Sequence, residues 1–429
     1  ERFLRFWWEI DSNEISKMID DNKRWKYYAK GGNYNKWFGN LWLCVDWKDN
    51  AIQMRETGRA VFRNEEYYFK KGITYSALGS GSFRLLPENS VYDVGGASLF
   101  PLENTSLEFV IGLLNSKFSG YILSCLNPTV NTQVGDIERI PFIQPSKALE
   151  TSISALTSQN IRIKRHLNSY RVIEPNFNIN ALSAFSEPYL RDRLLAYLNY
   201  ENAQLALVLI NEASINQLVC EVYDLSQEDR QQVENKMGKP AGELPVLPAA
   251  RDAYLLETNI ENETIKDFIK MLPVTTFEEE QVQSVKDEFA TLYQNNNELE
   301  EFCIRYQLNP INVWYWFRES RVLPLARAAE IALEFLADAC RTVLMEDEDG
   351  IIPLVGLPGE PRLLDRLEQH CFNNGFTSAQ FMQLDGLLGR PTNEYIEHNF
   401  FKDFSDHLNL FMYLPKTHFI WHLSSGPQQ

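Results

Sequence analysis

The chain lacks the short motifs by which many catalytic sites are recognised in a sequence. Its six cysteines form no C-x-x-C pair, and no G-x-S-x-G segment marks the nucleophile of a hydrolase. A glycine turn, "GSGSF" at residues 79–83, is followed by a β-prone run, whereas a nucleotide-binding turn opens a helix. The sequence therefore indicates no self-sufficient catalytic centre.

Metal-ligand patterns are also scarce. His418 and His422 are four residues apart, but a proline precedes them and no cysteine lies nearby, so we expect packed or hydrogen-bonded histidines. Asp229, followed by Glu234 and Lys236, has the spacing of a nuclease metal site, but no β-prone run fixes these carboxylates. The sequence predicts no bound metal.

Long uncharged apolar runs are few. The most apolar stretch, residues 107–126, carries Glu108, Asn115 and Lys117 and is barely long enough to cross a membrane. We expect a well-buried helix there, and no membrane partner. The scattered cysteines are typical of thiols in a cytoplasmic protein. Because the chain begins without methionine and stops just after an apolar run, we expect it to be a piece of a longer polypeptide.

The charge is unevenly distributed. The formal net charge is −17, which taken alone argues against a nucleic-acid partner. However, residues 23–71 contain 11 Lys and Arg against five Asp and Glu, and 12 of these 49 residues are aromatic. A basic, aromatic module is thus joined to an acidic remainder, in a chain long enough for two or three domains.

The residue pattern changes near residue 147. Before it, "NLWLCVDW", "ITYSAL", "SFRLL" and "SVYDV" are β-prone runs separated by turn residues. After it, helical periods dominate: "KALETSISALTSQNIRIKRHL" predicts one helix or two, and residues 324–344 predict another. The polar residues 226–248 predict a surface loop. The predicted fold class is α+β, with a mixed α/β module at 1–145, a connecting helix at 146–170, a helical region at 171–300 and a helical domain at 301–429.

Basic and amide side chains of the first module are candidates for DNA contacts. Lysines could neutralise phosphates, while amide and guanidinium groups could reach base edges. The competing interpretation is that the tryptophans are core residues and the lysines an ordinary solvated face; the residues alone favour neither. The candidate DNA-binding residues are Lys26, Lys30, Asn33, Lys36, Lys70, Lys71, Ser80, Ser82, Arg84, Asn131 and Gln133.

Several segments resemble a known family. In order along the chain, "ERFLRFWWEI", "RWKYYAKGGNYNKWFGN" and "IGLLNSKFSGYILSCLNPTVNTQVGDIERIPF" resemble the target recognition domain of the PglX family, the adenine-specific DNA methyltransferases of the BREX phage-defence system. "NPINVWYWFRES" and "MEDEDGIIPL" resemble the helical C-terminal region of that family. Related single-chain restriction-modification methyltransferases are also similar, and residues 107–168 resemble type I restriction specificity subunits.

The resemblance implies the DNA sequence recognition part of an S-adenosylmethionine-dependent adenine-N6 DNA methyltransferase. Its partners would be double-stranded DNA and other defence-system proteins. The family transfers the methyl group with a glycine motif for S-adenosylmethionine and an Asn-Pro-Pro-Tyr-type clamp, and neither occurs here: "NPTV" at Asn127 and "NPIN" at Asn309 match only the first two letters. We therefore expect no catalytic or cofactor-binding residue in this chain and place both functions in an upstream domain.

Two other functions remain open from the sequence. One is a non-enzymatic DNA specificity subunit of a restriction-modification complex, and the other is a protein-interaction scaffold in a defence complex.

Overall fold

The computed structural model describes residues 2–18, 21–77, 81–102, 104–127, 129, 131–293 and 298–410. Its strands lie within the first 100 residues and most of its helices follow them, which confirms the α+β fold class. The strands are β1 Leu4–Phe6, β2 Trp25–Ala29, β3 Leu43–Asp46, β4 Gly72–Tyr75, β5 Phe83–Leu86, β6 Ser90–Tyr92 and β7 Ser98–Leu99. Each of the four β-prone runs contains one of these strands.

The strands form two small sheets, of which the first is mixed. One sheet has the order β1-β3-β2-β6, in which β2 and β6 are parallel and the other pairs are antiparallel. The second sheet has the order β5-β4-β7 and is antiparallel, with Thr74 opposite Arg84. Tyr75 and Phe83 are fully buried in this second sheet and anchor it in the main core.

The helices account for most of the remaining described chain. They are α1 Lys48–Glu56, α2 Leu107–Leu114, α3 Lys117–Leu126, α4 Val134–Ile137, α5 Lys147–Asn168, α6 Ala181–Ala184, α7 Leu190–Val222, α8 Gln227–Met237, α9 Pro248–Glu257, α10 Glu263–Met271, α11 Glu279–Asp287, α12 Glu298–Tyr306, α13 Pro310–Ser320, α14 Leu325–Glu346, α15 Leu363–Asn373, α16 Ser378–Met382, α17 Leu384–Leu388, α18 Thr392–His398 and α19 Phe400–His407. Residues 147–168 form one continuous helix, and α14 begins directly after Pro324 as predicted.

The prediction of a single helix over residues 107–126 is wrong. The chain bends by 63° between α2 and α3. The hydroxyl of Ser116 accepts a hydrogen bond from the Ser119 backbone N–H and so begins a new helix. The Asn115 side chain is meanwhile bonded to the backbone N–H and C=O of Phe83, at 3.0 and 2.9 Å. Capping and a tertiary contact with β5 thus interrupt an otherwise apolar run.

The prediction of a loop over residues 226–248 is also wrong for its first half. Ser226 caps α8 by accepting a hydrogen bond from the Asp229 backbone N–H. Glu228 and Asp229 lie in the first turn, where negative charge stabilises a helix. Asp229 is therefore part of an exposed polar helix.

Helix α7 is the central element of the helical part. It packs against α5, α13 and the short turn at Ala241–Glu243. At that turn the Gly242 backbone lies directly against α7, and a Cβ there would overlap the Leu209 carbonyl oxygen. Helix α7, and the bent pair α2–α3, have the length and apolarity of membrane spans, but α7 is largely buried among other helices.

Candidate nucleic-acid interface

The basic, aromatic stretch near residues 30–47 is docked on the acidic helical part. The Trp37 indole N–H donates to Glu212 Oε1 at 2.8 Å, and the Lys36 ammonium donates to Glu212 Oε2 at 2.7 Å. The Trp42 indole N–H donates to Glu174 Oε1 at 3.0 Å. Buried carboxylates of α7 and of the segment after α5 therefore hold this stretch, which explains the presence of Lys36, Trp37 and Trp42.

Lys36 lies between two carboxylates. Its ammonium is also 3.6 Å from Glu300 Oε1, and its side chain is only 12% exposed. Burial alone would lower the pKa of Lys36, but the nearby charges of Glu212 and Glu300 outweigh it and raise that pKa well above its usual value. A buried ammonium held in this way is not accessible to a phosphate, so the structure argues against Lys36 as a phosphate contact.

The local backbone around this contact is strained. Trp37 has a φ of +76°, which side chains of its size rarely adopt and which costs of order 1–3 kcal/mol. The ring is 1% exposed, and its indole N–H is satisfied by Glu212. Tertiary contacts therefore fix this conformation against the local preference.

Three more predicted residues are internal. Arg84 is 1% exposed and donates to the Asn35 carbonyl oxygen and to the hydroxyls of Ser82 and Ser76, at 3.1 to 3.2 Å. Burial lowers the pKa of Arg84 to about 10. Lys26 is buried and bonded to Ser16 and Asp21. Arg84, Ser82 and Lys26 thus hold the module together, which argues against direct contacts with bases or phosphates.

The other predicted residues lie at or near the surface. Lys70, Asn33, Asn131 and Gln133 are exposed, and Lys30 is half-buried. Lys71 is exposed but ion-paired with Glu108 at 2.8 Å. Ser80 lies outside the described residues.

Two of these positions adjoin the same surface. Gln133 lines a groove described below, and the Lys70 ammonium lies 5.2 Å from the ring centre of Tyr67, which also lines it. Lys30 does not line the groove. The next residue, Gly31, has a φ of +84°, and a Cβ there would lie 2.5 Å from the Gly95 carbonyl oxygen. Only glycine allows this close approach between the Lys30 segment and the turn that forms one wall of the groove.

The groove has a volume of about 1410 Å³ and runs across the first module. One wall is the segment after α1, including Phe62 and Arg63, and the other is the segment around β6 and β7, including Tyr92 and Phe100. Residues 132–134 form part of the opposite rim. The groove therefore lies entirely within the predicted recognition module.

Six aromatic rings form a connected series along this groove. Successive ring centres are separated by 5.1 Å (Tyr67–Phe100), 5.6 Å (Phe100–Tyr92), 5.5 Å (Tyr92–Tyr68), 5.7 Å (Tyr68–Trp47) and 6.0 Å (Trp47–Phe62). At one end the Lys70 ammonium lies 5.2 Å from the ring centre of Tyr67. At the other end the Arg55 guanidinium lies 4.0 Å from the Phe62 ring centre, and it is ion-paired with Glu65 at 2.6 Å. The series thus combines apolar ring surface with positive charge.

Arginines supply further charge at the rim. Arg2, Arg59 and Arg63 line the groove and are exposed. Within the part of the chain that the structure describes, Arg59 and Arg63 have no ion pair. The sequence analysis missed Tyr67, Tyr92, Phe62 and Phe100, because the ring contacts join residues up to 33 positions apart, as between Tyr67 and Phe100. Only the basic and aromatic composition of residues 23–71 pointed to this region.

The described residues of the glycine turn lack the setting of an S-adenosylmethionine site. Of its five residues the structure describes the last three, and these lead directly into β5 instead of opening a helix. Ser82 is buried and bonded to Arg84. These residues offer no cradle for the cofactor.

Glu330, Glu334 and His407 bring potential metal-binding atoms within 4.8 Å of one another. Their carboxylates already have protein partners: Arg171 and Arg327 lie at 2.6 and 2.7 Å from Glu330, and the Val172 N–H donates to Glu334. This group is an ion-pair cluster that joins α19 to α14. His418 and His422 lie outside the described residues.

Comparisons with known proteins agree with the sequence resemblance. No family model matches the chain. It is 27% identical over 237 residues to the adenine-specific methyltransferase BrxX of Escherichia coli O9:H4 (strain HS), which covers 53% of this chain and 18% of that protein. It is 28% identical over 255 residues to the adenine-specific methyltransferase PglX of Lacticaseibacillus casei (strain Zhang), covering 54% of this chain and 21% of that protein. The chain thus spans about a fifth of the length of these relatives, and it is related over about half of its own length to the PglX-type adenine-specific methyltransferases of BREX.

Proposed function

We propose that this chain is the DNA sequence recognition part of an S-adenosylmethionine-dependent adenine-N6 DNA methyltransferase of a BREX-type phage-defence system. It would act in the cytoplasm on double-stranded DNA, together with other defence-system proteins. The cofactor and the methyl transfer would belong to a different part of the enzyme, because this sequence lacks the glycine motif and the Asn-Pro-Pro-Tyr-type clamp of the family it resembles.

The observation that carries the proposal is the groove with its unpaired arginines. In a chain of net charge −17, the guanidinium groups of Arg59 and Arg63 are exposed in the same groove as six aromatic rings, and they have no carboxylate partner among the described residues. Arg59 and Arg63 can neutralise phosphates, and Gln133 supplies an amide of the type that reads base edges. The surface thus offers both positioning and reading groups.

The acidic part of the protein binds the docked stretch. Glu212 neutralises the charge of Lys36, and Glu212 and Glu174 accept hydrogen bonds from the indole N–H groups of this stretch, as described above. The remaining exposed acids would repel phosphate. DNA is thereby directed to the groove and away from the helical part.

The proposal is tested by the salt dependence of DNA binding to the full 429-residue chain. We expect Arg59→Gln/Arg63→Gln to weaken binding to a duplex and to reduce the slope of log K against log salt by about 2, since each phosphate contact contributes about 1. Arg305, an exposed arginine on α12, supplies the matched control Arg305→Gln, which should change neither quantity. Unchanged affinity and slope in the double variant would refute DNA binding at this groove.

The methyltransferase part of the proposal needs a separate test. In cells that carry the intact gene, genomic adenine methylation at a defined sequence should disappear when Arg59 and Arg63 are replaced as above. Persistence of the same methylation pattern would show that this chain does not recognise the target. Absence of methyl-transfer motifs from the polypeptide that contains this chain would instead favour a non-enzymatic specificity subunit.

A further inference from the structure

We infer that the aromatic groove binds unpaired, unstacked DNA bases in preference to the outer surface of a fully paired duplex. This inference rests on the proposed function and names the form of DNA that the groove accepts.

The rings of the groove are not simply part of the protein core. Trp47, Phe62, Tyr67 and Tyr68 are absent from the described side chains that pack against the two hydrophobic cores, and they contact one another instead. Tyr67 is 40% exposed even though it stacks on Phe100. Ring surface is therefore left accessible at Tyr67, while the other five rings are half-buried.

Apolar side chains at the rim extend this accessible surface. Val61 and Val94 both line the groove, and they are 73% and 75% exposed. Contact with water or phosphate stabilises apolar side chains of this type little, whereas contact with the flat face of a base stabilises them. Arg59 and Arg63 at the same rim can hold the sugar-phosphate backbone of such a strand.

Paired DNA offers a poor match to this combination. In a duplex the faces of the bases are covered by their stacked neighbours, and the grooves present only base edges and phosphates. Aromatic side chains contact base faces where bases are unpaired, by stacking in a positively charged channel. A series of six rings with Lys70 at one end and with Arg59 and Arg63 lining the same groove matches the second case.

The size of the groove indicates more than one nucleotide. Its volume of about 1410 Å³ exceeds the range of roughly 300–1,000 Å³ that is usual for small-molecule pockets. We therefore expect a short strand segment as the ligand.

The experiment compares a fully paired duplex, the same duplex with a central unpaired bubble, and the corresponding single strand, by fluorescence anisotropy with the full chain. We expect the bubble to bind more tightly than the paired duplex. Tyr67→Leu and Phe62→Leu keep an apolar side chain while removing the ring, and each should weaken bubble and single-strand binding about tenfold. Binding to the paired duplex should change by less than about twofold, since it depends on phosphate contacts.

Matched variants separate the outcomes. Tyr189, which is 60% exposed, supplies the control Tyr189→Leu, and it should leave all three affinities unchanged. This inference would be overturned, with DNA recognition left intact, if the ring variants weakened binding to paired and bubble DNA equally. It would also be overturned if the chain bound bubble DNA no more tightly than paired DNA. Failure of all three DNA forms to bind would overturn both proposals. Unchanged thermal unfolding of Tyr67→Leu verifies that the fold is retained.

Discussion

Replacement of Glu212 by alanine should lower the free energy of unfolding more than any substitution on the exposed surface of the same helix. The two carboxylate oxygens of Glu212 accept from different donors, Trp37 Nε1 and Lys36 Nζ. The Glu212 and Lys36 side chains are 10% and 12% exposed, so water can replace the lost contacts only in part. Alanine therefore leaves two largely buried donors without their acceptor.

The magnitude follows from these two losses. Removal of one partner of a buried ion pair costs about 3–5 kcal/mol, and an orphaned buried N–H costs about 1–3 kcal/mol. Glu300 remains 3.6 Å from the Lys36 ammonium and offsets part of the cost of the broken ion pair. We expect Glu212→Ala to lower the free energy of unfolding by about 4 kcal/mol. Glu212→Gln keeps an acceptor for Trp37 and should cost about 2 kcal/mol.

Urea denaturation followed by circular dichroism measures these differences. Glu221 is exposed near the end of α7, so Glu221→Ala is the matched control and should change the free energy of unfolding by less than about 0.5 kcal/mol. A loss for Glu212→Ala within about 1 kcal/mol of this control would refute the reasoning. Equal losses for the alanine and glutamine variants would show that the Trp37 bond contributes nothing.

Three further predictions concern other buried groups. Burial raises the pKa of Glu174 above 4.5, despite the opposing hydrogen bond from Trp42. The protonated Glu174 side chain therefore contributes stability that is fully present below the unfolded pKa and is lost as pH rises through the folded pKa. The wild type should accordingly lose more unfolding free energy between pH 4.5 and about pH 8 than Glu174→Gln, and parallel pH profiles would contradict this. Gly242→Ala, which overlaps the α7 backbone, should cost about 1–3 kcal/mol in thermal unfolding, whereas Gly386→Ala in the open interior of α17 should gain about 0.5–1 kcal/mol; a neutral Gly242→Ala would count against the packing described. Arg84→Ala should lower the free energy of unfolding by about 3 kcal/mol, because three acceptors lose their donor. A loss of DNA affinity without a loss of stability would show that Arg84 reads bases instead.

The local pattern of the sequence located some of the elements. Alternating apolar residues with turn residues between them located β3 to β6, and helical periods located α5 and α14. The errors arose where a cap or a tertiary bond competed with the pattern. Ser116 and the Asn115–Phe83 contact split one apolar run, and Ser226 began a helix in a polar one.

For the candidate site, the sequence and the tertiary structure determined different features. The sequence by itself determined that residues 23–71 are basic and aromatic and that the rest of the chain is acidic, because these are properties of composition. Only the tertiary structure decided which of those cations are neutralised inside the protein and which rings meet at the surface. Lys36 and Trp37 find Glu212 across 176 and 175 residues of chain, while Arg59 and Arg63 find no acid among the described residues. Long-range packing sets these pairings, and no local spacing in the sequence encodes them.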